Sequence, residues 1–292
     1  MIKVGMVGSE NTHSQIFSGY MNLPLRDGSR PLNARVVSIW GGDAARTKEV
    51  AKEKEIPEIV AKPEDMLGKI DAVMVVPRRG SVHLSHAEPF LKAGLPAWID
   101  KPFAVDYEEA LTIVKLAKES GSMICGGSVC KFCDDVRMLR RMFQKMHDAG
   151  EFISGTFNFS GDINCQYDGI YFYGAHSVEM LLTIFGSNVL SITTNVHKNN
   201  LIAIAKYPDF TVTMNFSATP KSYCILYGSK ETAVRPLDIT FAYYDAVCAF
   251  VGMLSKKRPP QDISELLRSV RVLNALDESI KHNGAETPVK PI

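Results

Sequence analysis

The chain has 292 residues, long enough for two domains that each bury a core. Hydrophobic residues make up 46% and charged ones 22%, the balance of an ordinary globular protein rather than a disordered one. A formal net charge of +1 supplies no electrostatic reason for nucleic acid or an anionic membrane as partner, so a small molecule is the expected ligand. Residues 1–7 lead straight into a strand without the zones of a signal peptide, and no apolar run approaches the ~18 residues of a membrane span. With six cysteines in no spaced disulfide framework, the expectation is a cytoplasmic protein.

Gly5-Met-Val-Gly8-Ser-Glu-Asn-Thr-His13 forms the first strand-to-helix turn, the position at which a dinucleotide fold carries Gly-x-Gly-x-x-Gly. Only Gly8 conforms, with Glu10 and His13 at the second and third glycine positions. Taken alone the segment reads as a plain strand-turn-helix. Ser9, Asn11 and Thr12 can cap the helix, whose N-terminal amides favour an anion, and Glu10 then has to point away from a bound phosphate. Residues 21–33, rich in Pro, Gly and Arg, read as a loop beside an active-site rim. A second strand, 36–40, ends at Gly41, where an acid usually holds the adenosine ribose. Gly42, Asp43 and Arg46 follow, Arg46 opening a helix to residue 54. A missing carboxylate beside a guanidinium suits a 2′-phosphate and so NADP, while a solvated helix arginine is the plain alternative.

Residues 71–76 are an unbroken apolar run after Asp71, as in a parallel strand buried on both faces. Pro77-Arg-Arg-Gly80 turns the chain, Ser81 can cap a helix to about Ala93, and Pro89 is expected to kink it. The strand 95–99 then delivers Asp100-Lys101-Pro102 to its carboxyl end, where ligands of open α/β sheets bind. Asp106-x-x-Glu109 is a capping box for the next helix. Beyond residue 122 the pattern changes to short strands at 152–160, 189–196, 201–205, 210–216, 223–227 and 232–234, the later ones joined by turn signals. Helices at 241–254 and 264–281 close the chain, the second with Leu266, Val270, Leu273, Leu276 and Ile280 at helical spacing. The fold class is α/β: a Rossmann-type doubly wound parallel sheet over residues 1–122, then an α+β domain over 123–292 with a largely antiparallel open sheet.

The strand at Asp71-Ala-Val, Pro77, His83-x-x-x-Ala87, Leu91-x-Ala93-Gly94 and Asp100-Lys101-Pro102 together resemble the glucose-fructose oxidoreductase, inositol dehydrogenase and MocA (Gfo/Idh/MocA) family, which usually has Glu-Lys-Pro at the last position. Gly174-Ala-His176-Ser-Val-Glu179 and the closing Ala275-Leu-Asp-Glu-Ser279 resemble it too, so the likeness spans nearly the whole chain. The turn from Pro77 to His83 is about two residues longer than the family pattern. The resemblance implies an NAD- or NADP-dependent dehydrogenase of a sugar, cyclitol or related polyhydroxylated substrate. It further implies a homo-oligomer, dimer or tetramer, through the second sheet. Gly8, Ser9, Asn11, His13, Asp43, Arg46, Pro77, His83, Asp100 and Lys101 are the residues expected around the cofactor.

For catalysis the expectation is that His176 accepts the substrate hydroxyl proton while Lys101 hydrogen-bonds the same oxygen. Relatives commonly place an aspartate four residues before this histidine. Phe172 stands there, and Tyr171 or Tyr173 can supply a hydroxyl instead, Tyr173 being the one expected at the catalytic site. Glu179 is read as an orienting residue. Cys125, Cys130 and Cys133 lack a second ligand pair and are read as core or interdomain cysteines; no metal site is expected. His83 and His86 could share a helix face, with no carboxylate partner to complete a metal site. Two non-enzymatic readings stand beside the dehydrogenase: a dinucleotide or metabolite sensor that kept the fold, favoured by the degenerate glycine pattern and Phe172, and a structural subunit.

Overall fold

The computed structural model describes residues 1–30, 32–217 and 221–292; Pro31, within the segment read as a rim loop, lies outside the described residues. Two compact units form, Met1–Gly127 with Tyr243–Ile263, and Ser128–Ala242 with Ser264–Ile292. The sequence pattern put the boundary at 122/123 and the whole 241–254 helix in the second domain.

The first unit runs β1 (Ile2–Val7), α1 (Thr12–Asn22), β2 (Ala34–Trp40), α2 (Ala44–Glu53), β3 (Glu58–Ile59), β4 (Ala72–Val75), α3 (His83–Lys92), β5 (Ala97–Asp100), α4 (Tyr107–Ser120) and β6 (Ile124–Gly127). Its strands are all parallel in the order β3-β2-β1-β4-β5-β6. The order turns back between β1 and β4, which makes the carboxyl ends of these two strands the crevice where such sheets bind ligands. Every residue of β4 and β5 is buried, the reason both read as continuous apolar runs. Helix α3 starts at His83 rather than Ser81, because residues 80–82 form a 3-10 turn and no side chain caps the helix. It stays a single helix across Pro89.

The second unit contains α5 (Asp134–Asp148), β7 (Phe152–Ser160), α6 (Ile170–Phe185), β8 (Ser191–His197), β9 (Asn200–Lys206), β10 (Thr211–Ser217), β11 (Tyr223–Gly228) and β12 (Thr232–Pro236). After α7 (Ala242–Lys256) come α8 (Ile263–Lys281) and β13 (Thr287–Pro288). From Tyr243 onward α7 lies with the first unit. There Phe250 makes an edge contact with Trp98 and Tyr244 contacts Tyr20. The second sheet has the order β12-β11-β7-β10-β9-β8-β13. All its pairs are antiparallel except β7 with β10, which run parallel because α6 and the β8–β9 hairpin intervene between them.

Alternation is clean in β9 and β10. In β9, Leu201, Ala203 and Ala205 are buried while Ile202 and Ile204 are exposed. The register carries that outer row sideways, Ile204 beside Thr213 and Thr193, and Val234 beside Ile225. On the buried side, Phe143 of α5 makes edge contacts with Phe152, Phe185 and Phe210, an aromatic cluster that joins α5 and α6 to the sheet.

Candidate functional site

Gly8 follows β1 with φ of +105°, and a side chain there would lie 2.8 Å from the Pro77 nitrogen. Only glycine permits this approach of β1 to the end of β4. The Gly8 amide donates to Trp40 O at 2.8 Å, which fixes where the loop leaves the sheet. Asn11 is the N-cap of α1, its Oδ1 accepting from the His13 amide at 3.2 Å. Glu10 does not turn away from the loop: its carboxylate accepts from the Ser9 N–H at 3.0 Å. A carboxylate therefore already occupies one amide of the turn, an amide that can receive an anion but that a phosphate oxygen would have to take from Glu10.

At the end of β2, Gly41 has no room for a carboxylate. A Cβ would fall 1.9 Å from Ser9 Oγ, because Ser9 and Thr47 bond each other there at 2.8 Å. Asp43 caps α2, accepting from the Ala45 and Arg46 amides. The Arg46 guanidinium donates to Glu49 at 2.6 Å and to Gln15 at 2.8 Å. It is thus neither plainly solvated nor unengaged.

Asp100 gathers the inner wall. Its Oδ2 lies 2.7 Å from His13 Nδ1 and accepts from Asn11 Nδ2 at 3.3 Å, and its Oδ1 accepts from Trp98 Nε1 at 3.3 Å. Asn11 also donates to Val76 O at 3.1 Å, tying the loop to β4. Burial by itself would raise this carboxyl, but His13, its hydrogen bond, Lys101 and His83 together hold it below the usual carboxylate range. His13, at the third glycine position, is buried: Nε2 meets the Tyr243 hydroxyl at 3.3 Å and the ring stands edge-on to Tyr243. Lys101 follows directly, 1% exposed, and its peptide to Pro102 is cis. Burial pushes the His83 imidazole below its ordinary value, so the ring is neutral near pH 7 and donates from Nε2 to Pro77 O at 3.1 Å. His86 instead lies against the Trp40 ring, and among the described residues no group of three or more His, Cys, Asp and Glu side chains is placed to hold a metal.

In the second unit His176 sits in α6, 8% exposed, under the ring of Phe159. Its Nδ1 is 2.7 Å from Ser128 Oγ and 3.5 Å from Cys130 Sγ. Three residues on, Glu179 accepts from the Ser128 N–H at 2.9 Å and from Lys131 Nζ at 2.6 Å. Tyr173 is one turn before His176, its ring edge-on to Phe172. Tyr171 is turned to α8, accepting from Asn274 Nδ2 at 2.8 Å and donating to Asp277 at 3.4 Å. Sequence reasoning missed Ser128 and Lys131. The available signals were a serine that opens a short turn, Val129–Phe132, and a lysine amid apolar residues. Of the predicted residues, the first unit brings together Gly8, Ser9, Asn11, His13, Pro77, His83, Asp100 and Lys101, with Asp43 and Arg46 beyond Ser9 on α2; the second holds Tyr173 and His176.

Residues 2–127 match the family described as oxidoreductase family, NAD-binding Rossmann fold (GFO_IDH_MocA). Over 111 residues the chain is 29% identical to the UDP-N-acetylglucosamine 3-dehydrogenase of Acidithiobacillus ferrooxidans, a match covering 37% of this chain and 34% of that protein. Among solved structures, the Lactobacillus casei myo-inositol dehydrogenase in complex with NAD(H) and myo-inositol superposes with a TM-score of 0.85 at 14% identity, covering 100% of this chain and 98% of that one. A probable dehydrogenase from Thermotoga maritima gives 0.83 at 13% identity over 99% of both chains. At such identities these two show a shared fold. With its strand order, its crevice at the β1/β4 switch and Lys101 at the end of β5, the first unit is the part of the chain that matches the NAD-binding Rossmann fold of the Gfo/Idh/MocA oxidoreductases.

Proposed function

We propose that the chain is an NAD(P)-dependent dehydrogenase acting on a CH–OH group of a sugar, cyclitol or related polyhydroxylated compound. The observation that carries this reading is the loop at Gly8–Asn11, which packs against the end of β4 and bonds through Asn11 to Asp100, the residue before the buried Lys101. When bound, the nicotinamide accepts or returns a hydride. Gly8, Ser9 and the capped start of α1 would hold the pyrophosphate, Asp43 and Arg46 would serve the adenosine end, and Pro77, His83 and Asp100 would support the remainder of the cofactor. Lys101 donates a hydrogen bond to the substrate oxygen and favours its alkoxide, while His176 takes up the proton and Tyr173 adds a hydroxyl nearby. NADP is the preferred form, since Gly41 presents no acid to a 2′-phosphate; Arg46 has to leave Glu49 to bind it.

A sensor that binds the dinucleotide without turnover is the second reading, favoured by Glu10 on the Ser9 amide. A panel of sugars and cyclitols, each offered with NAD and NADP and followed by nicotinamide absorbance, separates the two. Absorbance gain with a panel member supports the dehydrogenase. Tight NADH or NADPH binding with no gain across the panel supports the sensor.

Glu10 competes with a bound phosphate for the loop amides, so Glu10→Gly is expected to tighten NADH about tenfold, a change of ~1.4 kcal/mol readable by calorimetry. Unchanged affinity shows that the carboxylate leaves the loop without cost. The outer face of the second sheet, with Ile202, Ile204 and Val234 exposed, is the proposed subunit contact of a homodimer or tetramer. Ile204→Asp with Val234→Asp is expected to give monomers by light scattering; a wild-type monomer sinks the proposal.

A further inference from the structure

We infer that Ser128 is the positioning residue for His176, in the place that a carboxylate one helical turn earlier would fill. This rests on the proposed role of His176 as base. A catalytic imidazole that exchanges its proton at Nε2 needs a partner that holds Nδ1, because that bond sets both the ring plane and the tautomer. Phe172 stands one turn before His176 and has no hydrogen-bonding group; its ring lies against Tyr167 and Tyr173. Across the unit, Ser128 Oγ reaches Nδ1 at 2.7 Å, nearer than the 3.5 Å of the Cys130 thiol.

The serine is itself fixed. Its hydroxyl accepts from the Cys130 N–H at 3.2 Å, and its own N–H donates to Glu179 Oε1 at 2.9 Å. Glu179, on α6 three residues beyond His176, also pairs with Lys131 at 2.6 Å. The Val129–Phe132 turn is therefore clamped to the same helix that carries the histidine, and Ser128 has little freedom to drift from Nδ1. A hydroxyl oxygen has two lone pairs, so one can take the Cys130 amide and the other the Nδ1–H of His176. The Nδ1–H bond persists when Nε2 gains a proton, so one geometry serves the imidazole before and after proton transfer.

The test is the tautomer of His176, read from nitrogen shifts of 15N-histidine protein, with His176→Asn used to assign the signal. In the neutral wild-type ring the proton is expected on Nδ1. Ser128→Ala is expected to shift it to Nε2 and to lower kcat/KM, on any panel substrate that turns over, by about tenfold to a hundredfold with a displaced acidic limb of the pH profile. Ser128→Thr, which keeps the hydroxyl, restores both. A wild-type ring protonated on Nε2, or a tautomer that Ser128→Ala leaves unchanged in a folded protein, overturns the inference. NADH and NADPH titrations of the same samples keep the two questions apart, since loss of cofactor binding would strike the dehydrogenase reading and leave the tautomer assignment standing.

Discussion

Asp100→Ala is expected to cost about 3–5 kcal/mol of folding free energy, the scale of breaking a buried charged pair by removing one partner. The carboxylate receives Trp98, Asn11 and His13 while buried, and all three of these bonds are lost at once. Asp100→Asn keeps an oxygen for Trp98 but turns an amide toward the other donors, and a smaller loss is expected. The pH dependence has a definite sign. Because the folded-state value is depressed, the stabilisation by Asp100 is complete above its unfolded value of about 3.9 and fades as pH falls through the native value. Urea melts at neutral pH and at about pH 3 check this: the gap between wild type and Asp100→Asn should narrow on acidification. A gap that does not change with pH would mean that Asp100 is not held as a carboxylate.

The second large effect concerns turnover. Lys101→Met and His176→Asn are each expected to lower kcat/KM by about 10² to 10⁴, the range for a positioned acid-base or oxyanion-stabilising group. Methionine suits the first position because the lysine stem is buried, and a shorter side chain would open a cavity and confuse folding with chemistry. Both variants should bind reduced cofactor like the wild type, since neither residue is assigned to the pyrophosphate. Full turnover by either, on a substrate the wild type uses, removes that residue from the mechanism.

The parallel sheet could be read in advance because β4 and β5 are buried at every residue and so appear as unbroken apolar runs between turn residues. The outer and inner rows of β9 were not legible, because residues 201–205 are apolar throughout and Ile202 and Ile204 are exposed all the same. What local pattern does not encode is which distant surface an element meets. The hydrophobic spacing of α7 marks a helix, yet nothing in it says that Tyr243 will reach His13. The two-residue strands β3 and β13 are too short to show any period. Hairpin-length connections gave a largely antiparallel second sheet, as found, but not its one parallel pair, β7–β10, which arises when a later hairpin is inserted beside an earlier strand. The irregular glycine fingerprint likewise made sense only in three dimensions. His13 stands where glycine was expected because Asp100 and Tyr243 receive its side chain, and Gly41 is bare because Ser9 and Thr47 occupy the space. Ser128 escaped notice because it lies 48 residues from His176, with no motif joining them.

The central claim is that the crevice at the β1/β4 switch holds a nicotinamide dinucleotide despite Glu10 and His13. Calorimetric titration of the purified chain with NADPH and then with NADH tests it most directly. Saturable one-to-one binding of at least one of them, abolished by Gly8→Val, which forces a side chain onto Pro77, is the result the account predicts. Heat of dilution alone for both cofactors would contradict it.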